Sequence, residues 1–578
     1  MIAKSIKIGY RPQTRAGDMV APRARSGEFL HEVTVSMIDA TTSVIIAGAG
    51  PVGLALACEL GLRGVDCMLI EKRDGSITVP KQSMVSARNM EFCRRWGVAG
   101  AVRNAVWPES HPRDFVYLAS MQGRELLRVK IPSYVQRDPR DFTAEAACPC
   151  PQIYFDPILA ARAKTLPSVK VRYHTSLDAF SPDDDGVFAT LTDLGTGTQQ
   201  TVRAQYLVGC DGPAGKIRES LGIGLGGLGV VAHSVNLFFR SSALATIHDK
   251  GWARFYRVID ETGCWAELIP IDGKELWRLT VFDEPASALA PEALMRKLIG
   301  SDFDYEMLSV SPWERRDYVA QSYGHGRVYI AGDSAHECSP TGGIGMHTGL
   351  EEVVNLGWKL AAMLAGWGGP ALLASYEAER RPIAVRNVEL ATRSFRAIAS
   401  IPGWHDGDRS ADWQSNPPRW LSIPEHLKLL YTYERSPVCV PDGTPAPDPE
   451  PPRFVPSTRP GTRAPHAWLA DGRSTLDLFG EGFVLLRLGA NPPDAGALVE
   501  AAQTRSVPLR EIAIADPDIA ALYEKTLVLV RPDGHVAWRG DACPADAAAI
   551  VDCMRGAGAP QSGTTGDTRT RPTVRAMA

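Results

Sequence analysis

Gly48, Gly50 and Gly53 fall in the order Gly-x-Gly-x-x-Gly, and Glu71 follows Gly50 by twenty-one residues. Three glycines and an acid at that spacing could hold a dinucleotide. Gly48 permits a tight turn, Gly50 lets the backbone approach a diphosphate, and Gly53 allows close packing of helix on strand. Glu71, with Lys72 beside it, stands where an acidic side chain would take ribose hydroxyls. The flanking sequence supplies the required setting. Ser43 to Ala47 is a short β-branched apolar run that reads as a buried strand, Pro51 to Leu62 carries Val52, Leu56 and Leu60 at helical spacing, and Val65 to Ile70 reads as a second strand.

Two further stretches carry strand-terminal acid-glycine pairs. Tyr206 to Cys210 reads as a buried strand ending in Asp211-Gly212, followed by a helix over Pro213 to Leu221. Val328 to Ala331 ends in Gly332-Asp333, and a Pro340-Thr341-Gly342-Gly343-Ile344-Gly345 loop opens a long helix near His347. Two nucleotide-like turns imply one long ligand lying across both, and FAD fits that span better than a nicotinamide dinucleotide alone. The N-terminus of the second helix, with its unpaired N–H groups, would stabilise negative charge on a reduced or peroxidised flavin ring. Asp333 could accept hydrogen bonds from ribityl hydroxyls.

The remaining elements must position this chemistry. Lys81 to Gly97 reads as a loop entering an amphipathic helix that carries Arg88, whose plain reading is a solvated helix arginine. Phe115 to Pro132 alternates like an antiparallel strand pair, and Ile153 to Leu166 reads as a helix. Val169 to Leu194 reads as a strand pair turning at Asp183 to Gly186. Residues 230 to 285 alternate and are dense in aromatics, as in a sheet with one ligand-facing side. Leu372 to Arg386 reads as a helix broken by Pro382. Beyond a proline-rich stretch, strands at Phe483 to Leu488, Leu509 to Ile514, Leu527 to Val530 and Val536 to Trp538 and helices at Asp494 to Arg505 and Ile519 to Leu522 resemble a thioredoxin-like order without Cys-x-x-Cys. That block therefore reads as structural or oligomerising instead of redox-active.

Composition narrows the class. In 578 residues, 44% are hydrophobic and 22% charged, which is ordinary for a globular protein. A net charge of -4 gives no electrostatic footprint for nucleic acid. No apolar run reaches the length of a spanning helix, so no membrane role is expected. Eleven cysteines, with only Cys148 and Cys150 close together, form neither a disulfide framework nor a zinc site, and a cytoplasmic location fits best. Residues 1 to 36 hold six Lys or Arg against three acids and read as a disordered extension.

Taken in order, GAGPVG, CDGPAGKIR, AGDSAHECSPTGGIGMHTGLEEVVNLGWKLA and SYEAERRP resemble the single-component FAD-dependent aromatic hydroxylases, typified by p-hydroxybenzoate hydroxylase. The resemblance is strongest to the phenol, hydroxyphenylpropionate and polyketide hydroxylase branch with a thioredoxin-like C-terminal domain, and it spans roughly residues 42 to 556. It implies an α/β plus α+β fold. A Rossmann-like FAD domain would occupy 42–112, 148–225 and 315–400, with an antiparallel substrate sheet over 113–147 and 226–314. A helical segment and linker over 401–460, the thioredoxin-like domain over 461–556, and disordered ends at 1–41 and 557–578 complete the expectation.

The same resemblance assigns Arg88 and Gln152 to the FAD diphosphate and ribityl chain, which overturns the plain reading of Arg88. It assigns Asp211-Gly212 to FAD and NAD(P)H together, and Pro340 to Met346, including Gly343 and Gly345, to the neighbourhood of the isoalloxazine ring. Two residues depart from the family pattern: Gly215 stands where Ser is usual, and His347 where Asn is usual.

The reaction implied is reduction of FAD by NADH or NADPH, capture of O2 as a C4a-hydroperoxide, and hydroxylation of a phenolic ring, with no metal needed. A base or acceptor near the phenol is expected, with His233 and Tyr256 as candidates and Trp265, Arg278 and Pro340 as substrate contacts. Mono- or bicyclic substrate and NADH or NADPH stay open, and a homodimer is the assembly common among such look-alikes. An FAD-dependent oxidase or dehydrogenase on the same fold is the main alternative, and the Asp211-Gly212 motif speaks against it. A non-catalytic scaffold would have lost the glycines. A plain NAD dehydrogenase has no place for the 332–345 stretch.

Overall fold

In the computed structural model, residues 38–77, 79, 81, 83–131, 133, 142–282, 290–405 and 423–558 are described, all within the unit Ile38–Ala578. The N-terminal extension up to residue 37 and the tail from 559 lie outside the described residues, and the first strand begins earlier than expected, at Ala40.

Ala40–Ala47 pairs in parallel with Cys67–Ile70 on one side and with Gln199–Gly209 on the other. Val169–Arg172 and Val328–Ile330 extend the parallel sheet at either side. Val44, Ile45 and Ile46 are fully buried, because helices or loops cover both faces and the strand alternates nothing. The Pro51–Leu62 helix packs between Gln152–Lys164 and Gly345–Leu364 and is buried nearly all round. The 169–194 stretch divides differently from the expected pair: Val169–Arg172 joins the parallel sheet, while Thr175–Pro182 and Val187–Asp193 form a hairpin.

The aromatic-dense region forms a second, eight-stranded sheet. Its order runs His336–Glu337, Glu306–Ala320, Leu225–Arg240, Leu276–Phe282, Gly263–Pro270, Phe255–Asp260, Phe115–Leu118 and Glu125–Val129. Strand periodicity divides its residues. Tyr256, Leu268, Trp277, Leu279 and Val281 pack in one core with Met295, Leu298 and Ile299 of the Pro291–Ile299 helix. Phe255, Arg257, Arg278, Thr280 and Phe282 face the other way, into a cavity.

Ala374–Ala399 is one helix that continues through Pro382, against the expected break. An interior proline costs about 3 kcal/mol in isolation. Here Glu379 and Arg380 before it and Ile383 and Ala384 after it are buried in tertiary contacts that outweigh that cost. Among the described residues no helix is long and apolar enough to cross a membrane.

In the C-terminal block, Phe483–Leu488 pairs in parallel with Leu509–Ile514 and antiparallel with Leu527–Val530, which pairs with Val536–Gly540. Gly496–Thr504 and Ala547–Met554 cover one face together with Trp358, and Pro517–Tyr523 covers the other. The junction with the rest of the chain is ionic and fully buried. Arg531 bonds both oxygens of Glu379 at 2.5 and 2.9 Å and Asp533 Oδ2 at 2.5 Å, while Lys359 Nζ sits 2.7 Å from Glu379 Oε2.

Candidate cofactor cradle and substrate cavity

The first glycine turn is closed against side chains. Gly48 has φ of +106°, and a Cβ there would lie 2.3 Å from the Cys210 carbonyl oxygen; one on Gly53 would lie 1.9 Å from the Gly48 carbonyl oxygen. Gly50, by contrast, has nothing within 4 Å of its Cβ position, and it caps the Pro51–Leu62 helix with no side-chain hydrogen bond. An open, uncapped helix N-terminus behind a turn with no room for side chains fits a dinucleotide diphosphate. Glu71 Oε2 accepts from Ala49 N at 3.0 Å, which ties the acid to this turn, and Lys72 beside it is exposed.

The second acid-glycine pair meets the third. Asp211 Oδ1 accepts from the Ser334 hydroxyl at 2.7 Å, and its Oδ2 accepts from Ile217 N at 3.2 Å. A Cβ at Gly215 would stand 2.4 Å from Asp211 Oδ1, so glycine in place of the usual serine leaves room for this carboxylate position. Gly212 and Gly332 both have positive φ, Gly332 N donates to Glu352 Oε2 at 2.8 Å, and Asp333 is exposed.

A cavity of about 390 Å³ opens between the second sheet and the 340–347 stretch. That volume lies in the range of pockets that take small organic ligands. Pro340, Thr341, Gly342, Gly343 and His347 line one side, and Phe255, Arg257, Arg278, Thr280 and Phe282 the sheet side. The Phe115 and Phe255 rings, also lining it, stack with centroids 4.9 Å apart. Arg257 Nε meets Glu267 Oε2 at 3.0 Å, and its Nη1 donates to the Tyr117 hydroxyl at 2.6 Å; burial pushes that phenol up to about 12. Arg315 donates to Ser234 and Ser339 hydroxyls at 2.9 and 3.1 Å, holding the sheet to the glycine loop.

Of the sequence-predicted residues, Pro340, Gly343, His347 and Arg278 meet in this cavity, while Gly345 and Met346 begin the helix just behind it. Tyr256, Trp265 and His233 are corrected, while Arg88 and Gln152 lie outside this cavity. Tyr256 is one residue out of phase with Phe255 and Arg257, so it points into the opposite core, where its hydroxyl donates to Gly251 O. Trp265 sits at an irregularity between the pairs Val258–Ala266 and Ile259–Cys264, in that same core, with Lys297 Nζ 4.3 Å from its ring. His233 is exposed opposite Glu314, its neighbour Ser234 facing Arg315 instead. Arg88 is buried away from the cavity. Its guanidinium donates to Glu91 Oε2 at 2.9 Å and to the Asp533 carbonyl, so it joins the C-terminal block to the helix that carries it. Gln152 is half-buried outside the cavity lining and donates to Asp156 Oδ2 at 3.0 Å; burial pushes that acid up to about 7.

Sequence reasoning missed Lys81, Arg254, Arg257, Glu267, Thr280, Arg315, Glu425 and Lys428 on the lining. Stepping by two from Arg278 would have found Thr280 and Phe282. Nothing local marks Glu425, which arrives from the Glu425–Leu429 helix and accepts from Ala87 N at 2.7 Å.

His347 Nε2 lies 3.1 Å from Ser86 N and 3.0 Å from Met84 O. Burial, then Lys428, pushes its imidazole down to about 4, against the pull of Glu425 and Met84 O. The unfolded chain therefore takes up this proton at a higher pH than the folded chain does, and stability is lost as pH falls from 6.5 towards 4. His347→Asn removes this share, about 3 kcal/mol across the window. Unfolding free energy measured in urea from pH 7 to 4 should then fall less steeply than in the parent. Identical slopes would show that His347 does not titrate as a buried neutral group.

The FAD binding domain family matches residues 41–391, and the aromatic-ring hydroxylase C-terminal family matches residues 457–559. A protein of Streptomyces halstedii named as a polyketide hydroxylase is 34% identical over 561 residues, covering 90% of this chain and 96% of the relative. The rebeccamycin biosynthetic enzyme RebC with reduced flavin matches with a TM-score of 0.82 at 39% identity, covering 90% of this chain and 100% of that one. A ternary complex of aklavinone-11 hydroxylase with FAD and aklavinone matches with a TM-score of 0.76 at 29% identity, over 90% of this chain and 100% of that one. With the glycine turns, the second sheet and the cavity in one arrangement, the chain belongs to the FAD-dependent aromatic-ring hydroxylases and is a flavoprotein monooxygenase.

Proposed function

We propose that this chain hydroxylates a phenolic ring on an aromatic, polyketide-like substrate, with NADH or NADPH as reductant and O2 as oxidant. The observation that carries this reading is the cavity itself, walled by stacked Phe115 and Phe255 and bounded by Pro340 to Gly343. Flavin bound there supplies the redox chemistry and oxygen activation.

Gly48, Gly50, Gly53 and Glu71 hold its ADP portion, Asp211-Gly212 and Gly332-Asp333 its middle, and Gly343 to His347 its ring side. Lys81 adds a cation on the cavity lining. The aromatic walls orient a flat ring and exclude water. Arg257 fixes Glu267 through Oε2, and Glu267, on the cavity lining, accepts a hydrogen bond from the phenol hydroxyl in the role first given to His233 or Tyr256.

The parallel βαβ order supports a Rossmann-like reading of the cofactor part, and the C-terminal strand order supports a thioredoxin-like one. A cytoplasmic location and a homodimer complete the proposal.

NAD(P)H oxidation and O2 uptake by the flavin-loaded protein test it, over a panel of phenols and naphthols. Ring-dependent stimulation with one oxygen atom added to the product is expected. Bound FAD without stimulation by any phenol, but reduced by an amine or hydroxy acid, would replace the hydroxylase with an oxidase.

A further inference from the structure

We propose that the C-terminal block is a clamp on the substrate cavity: it grips the Ala87–Arg95 helix by its charged face and so fixes the Ser83–Ala87 wall. What this does for the substrate rests on the hydroxylase reading above; the grip itself does not.

The Ala87–Arg95 helix carries four charged residues, Arg88, Glu91, Arg94 and Arg95. Spacings of three, four and seven gather them along one stripe. On a surface helix such a stripe faces water. Here every one of the four bonds a residue within the 457–559 match. Arg88 Nη2 donates to the Asp533 carbonyl at 3.1 Å, and Arg95 Nη1 to the Pro532 carbonyl at 3.1 Å. Arg94 donates to both oxygens of Asp477, at 2.6 and 2.9 Å. Glu91 accepts from Arg463 through both oxygens, one bond measuring 3.0 Å, and both side chains are 4% exposed. Two-pronged pairs of this kind fix orientation as well as distance. The block therefore holds the helix from its second residue to its last.

The start of the same helix reaches the cavity. Ser83, Met84, Ser86 and Ala87 line it, and Ser86 caps the helix by accepting from Asn89 N at 3.3 Å. Ser86 N donates to His347 Nε2 at 3.1 Å, and Ala87 N to Glu425 Oε1 at 2.7 Å. The Gly345–Leu364 and Glu425–Leu429 helices thus both lean on this wall. Nine residues of helix span only about 13 Å, and Glu91 stands about 6 Å, little more than one turn, behind Ala87. A shift at the gripped face is carried to the wall. Among the described residues none of 457–559 lines the cavity, so the block acts on it through this helix as a supporting shell. Arg463 and Arg94 are positioning residues in this scheme.

Arg463→Gln and Arg94→Gln loosen the grip at two points without touching the cavity. Hydrogen exchange of the FAD-loaded protein, read by mass spectrometry on peptides covering 83–88, should quicken about 10-fold in Arg463→Gln and about 3-fold in Arg94→Gln, with the Pro51–Leu62 helix unchanged. Kd for 2-naphthol, read from perturbation of flavin absorbance, should rise by similar factors, while FAD affinity changes less than about 2-fold. Arg463→Lys should recover part of both effects, since it keeps the charge and loses the fork. Arg505→Gln, which breaks a pair with Asp552 inside the block, should move neither readout. The Arg94–Asp477 pair is partly exposed, at 32% and 20%, so Arg94→Gln carries the test if Arg463→Gln does not fold.

Unchanged exchange at 83–88 in the folded Gln variants overturns the clamp. So does exchange that quickens equally along Pro51–Leu62 or in Arg505→Gln, which would mean general loosening, and so does faster exchange with naphthol affinity unmoved. Faster exchange at 83–88 in a protein that neither binds nor hydroxylates any phenol sinks the hydroxylase reading and leaves the grip standing. Hydroxylation of phenols with exchange and Kd both unmoved does the reverse.

Discussion

Gly53→Ala should purify colourless, with FAD affinity of the apoprotein reduced about 100-fold or more. The added methyl would lie 1.9 Å from the Gly48 carbonyl oxygen, and the obstructing atom is backbone, so no side-chain rotation relieves it. The Pro51–Leu62 helix would have to move off the strand, yet it is buried between the sheet and the Gly345–Leu364 helix. The helix N-terminus, and with it the N–H groups that take the diphosphate, would shift. Gly50→Ala is the comparison. Its Cβ position is open, so its melting temperature without flavin should match the parent, while FAD titration should show weaker binding because the methyl stands where the diphosphate approaches. FAD content and affinity unchanged in Gly53→Ala would mean that the cofactor does not use this turn.

Arg531→Ala should cost about 3–5 kcal/mol of stability. Arg531 is fully buried and is hydrogen-bonded to Glu379 and Asp533, and its removal leaves both carboxylates buried with one partner fewer. Lys359 still faces Glu379, and Trp358 Nε1 still donates to Asp533 at 3.3 Å, but neither restores the missing bidentate pairing. Glu379→Gln approaches the same point from the acid side and should lose a comparable amount, since Lys359 and Arg531 would then face a neutral amide. Arg531 and Lys359 hold Glu379 well below the usual carboxylate range despite its burial, so its contribution is present above pH 4.5 and lost as pH falls below it. Urea unfolding at pH 7 measures both variants. A loss below about 1 kcal/mol in each would show that packing, and not this ion network, joins the C-terminal block to the 374–399 helix.

Much of the fold was legible because its signals are local. The Gly48 to Glu71 stretch states strand, turn, helix and strand within one window. Phe483–Leu488, Leu509–Ile514 and Leu527–Val530 coincide with their sequence limits, since each is a short apolar run bounded by turn residues. Where tertiary contacts compete with local preference, the reading fails, as in the helix that runs through Pro382. The site was legible to the same degree. Pro340, Gly343 and His347 are close in sequence and lie together, but alternation alone does not say which face of the sheet Tyr256 takes, and Arg88 is placed by its ion pair with Glu91 and its bond to the C-terminal block. Both are buried elsewhere.

The cofactor is legible in the chain alone, because each nucleotide turn is a short run of glycines and an acid at fixed spacing, and two such turns together call for a ligand of FAD's length. What lines the cavity emerges only when the chain is folded. Lys81, Arg254, Arg278, Arg315 and Lys428 come from well-separated parts of the chain, and their charges add only because the sheet, the glycine loop and the Glu425–Leu429 helix close on the same space. Strand parity is just as indifferent to composition. It turns Arg278 into the cavity and its neighbour Trp277 into the core, and it is set by which face the Pro291–Ile299 helix covers.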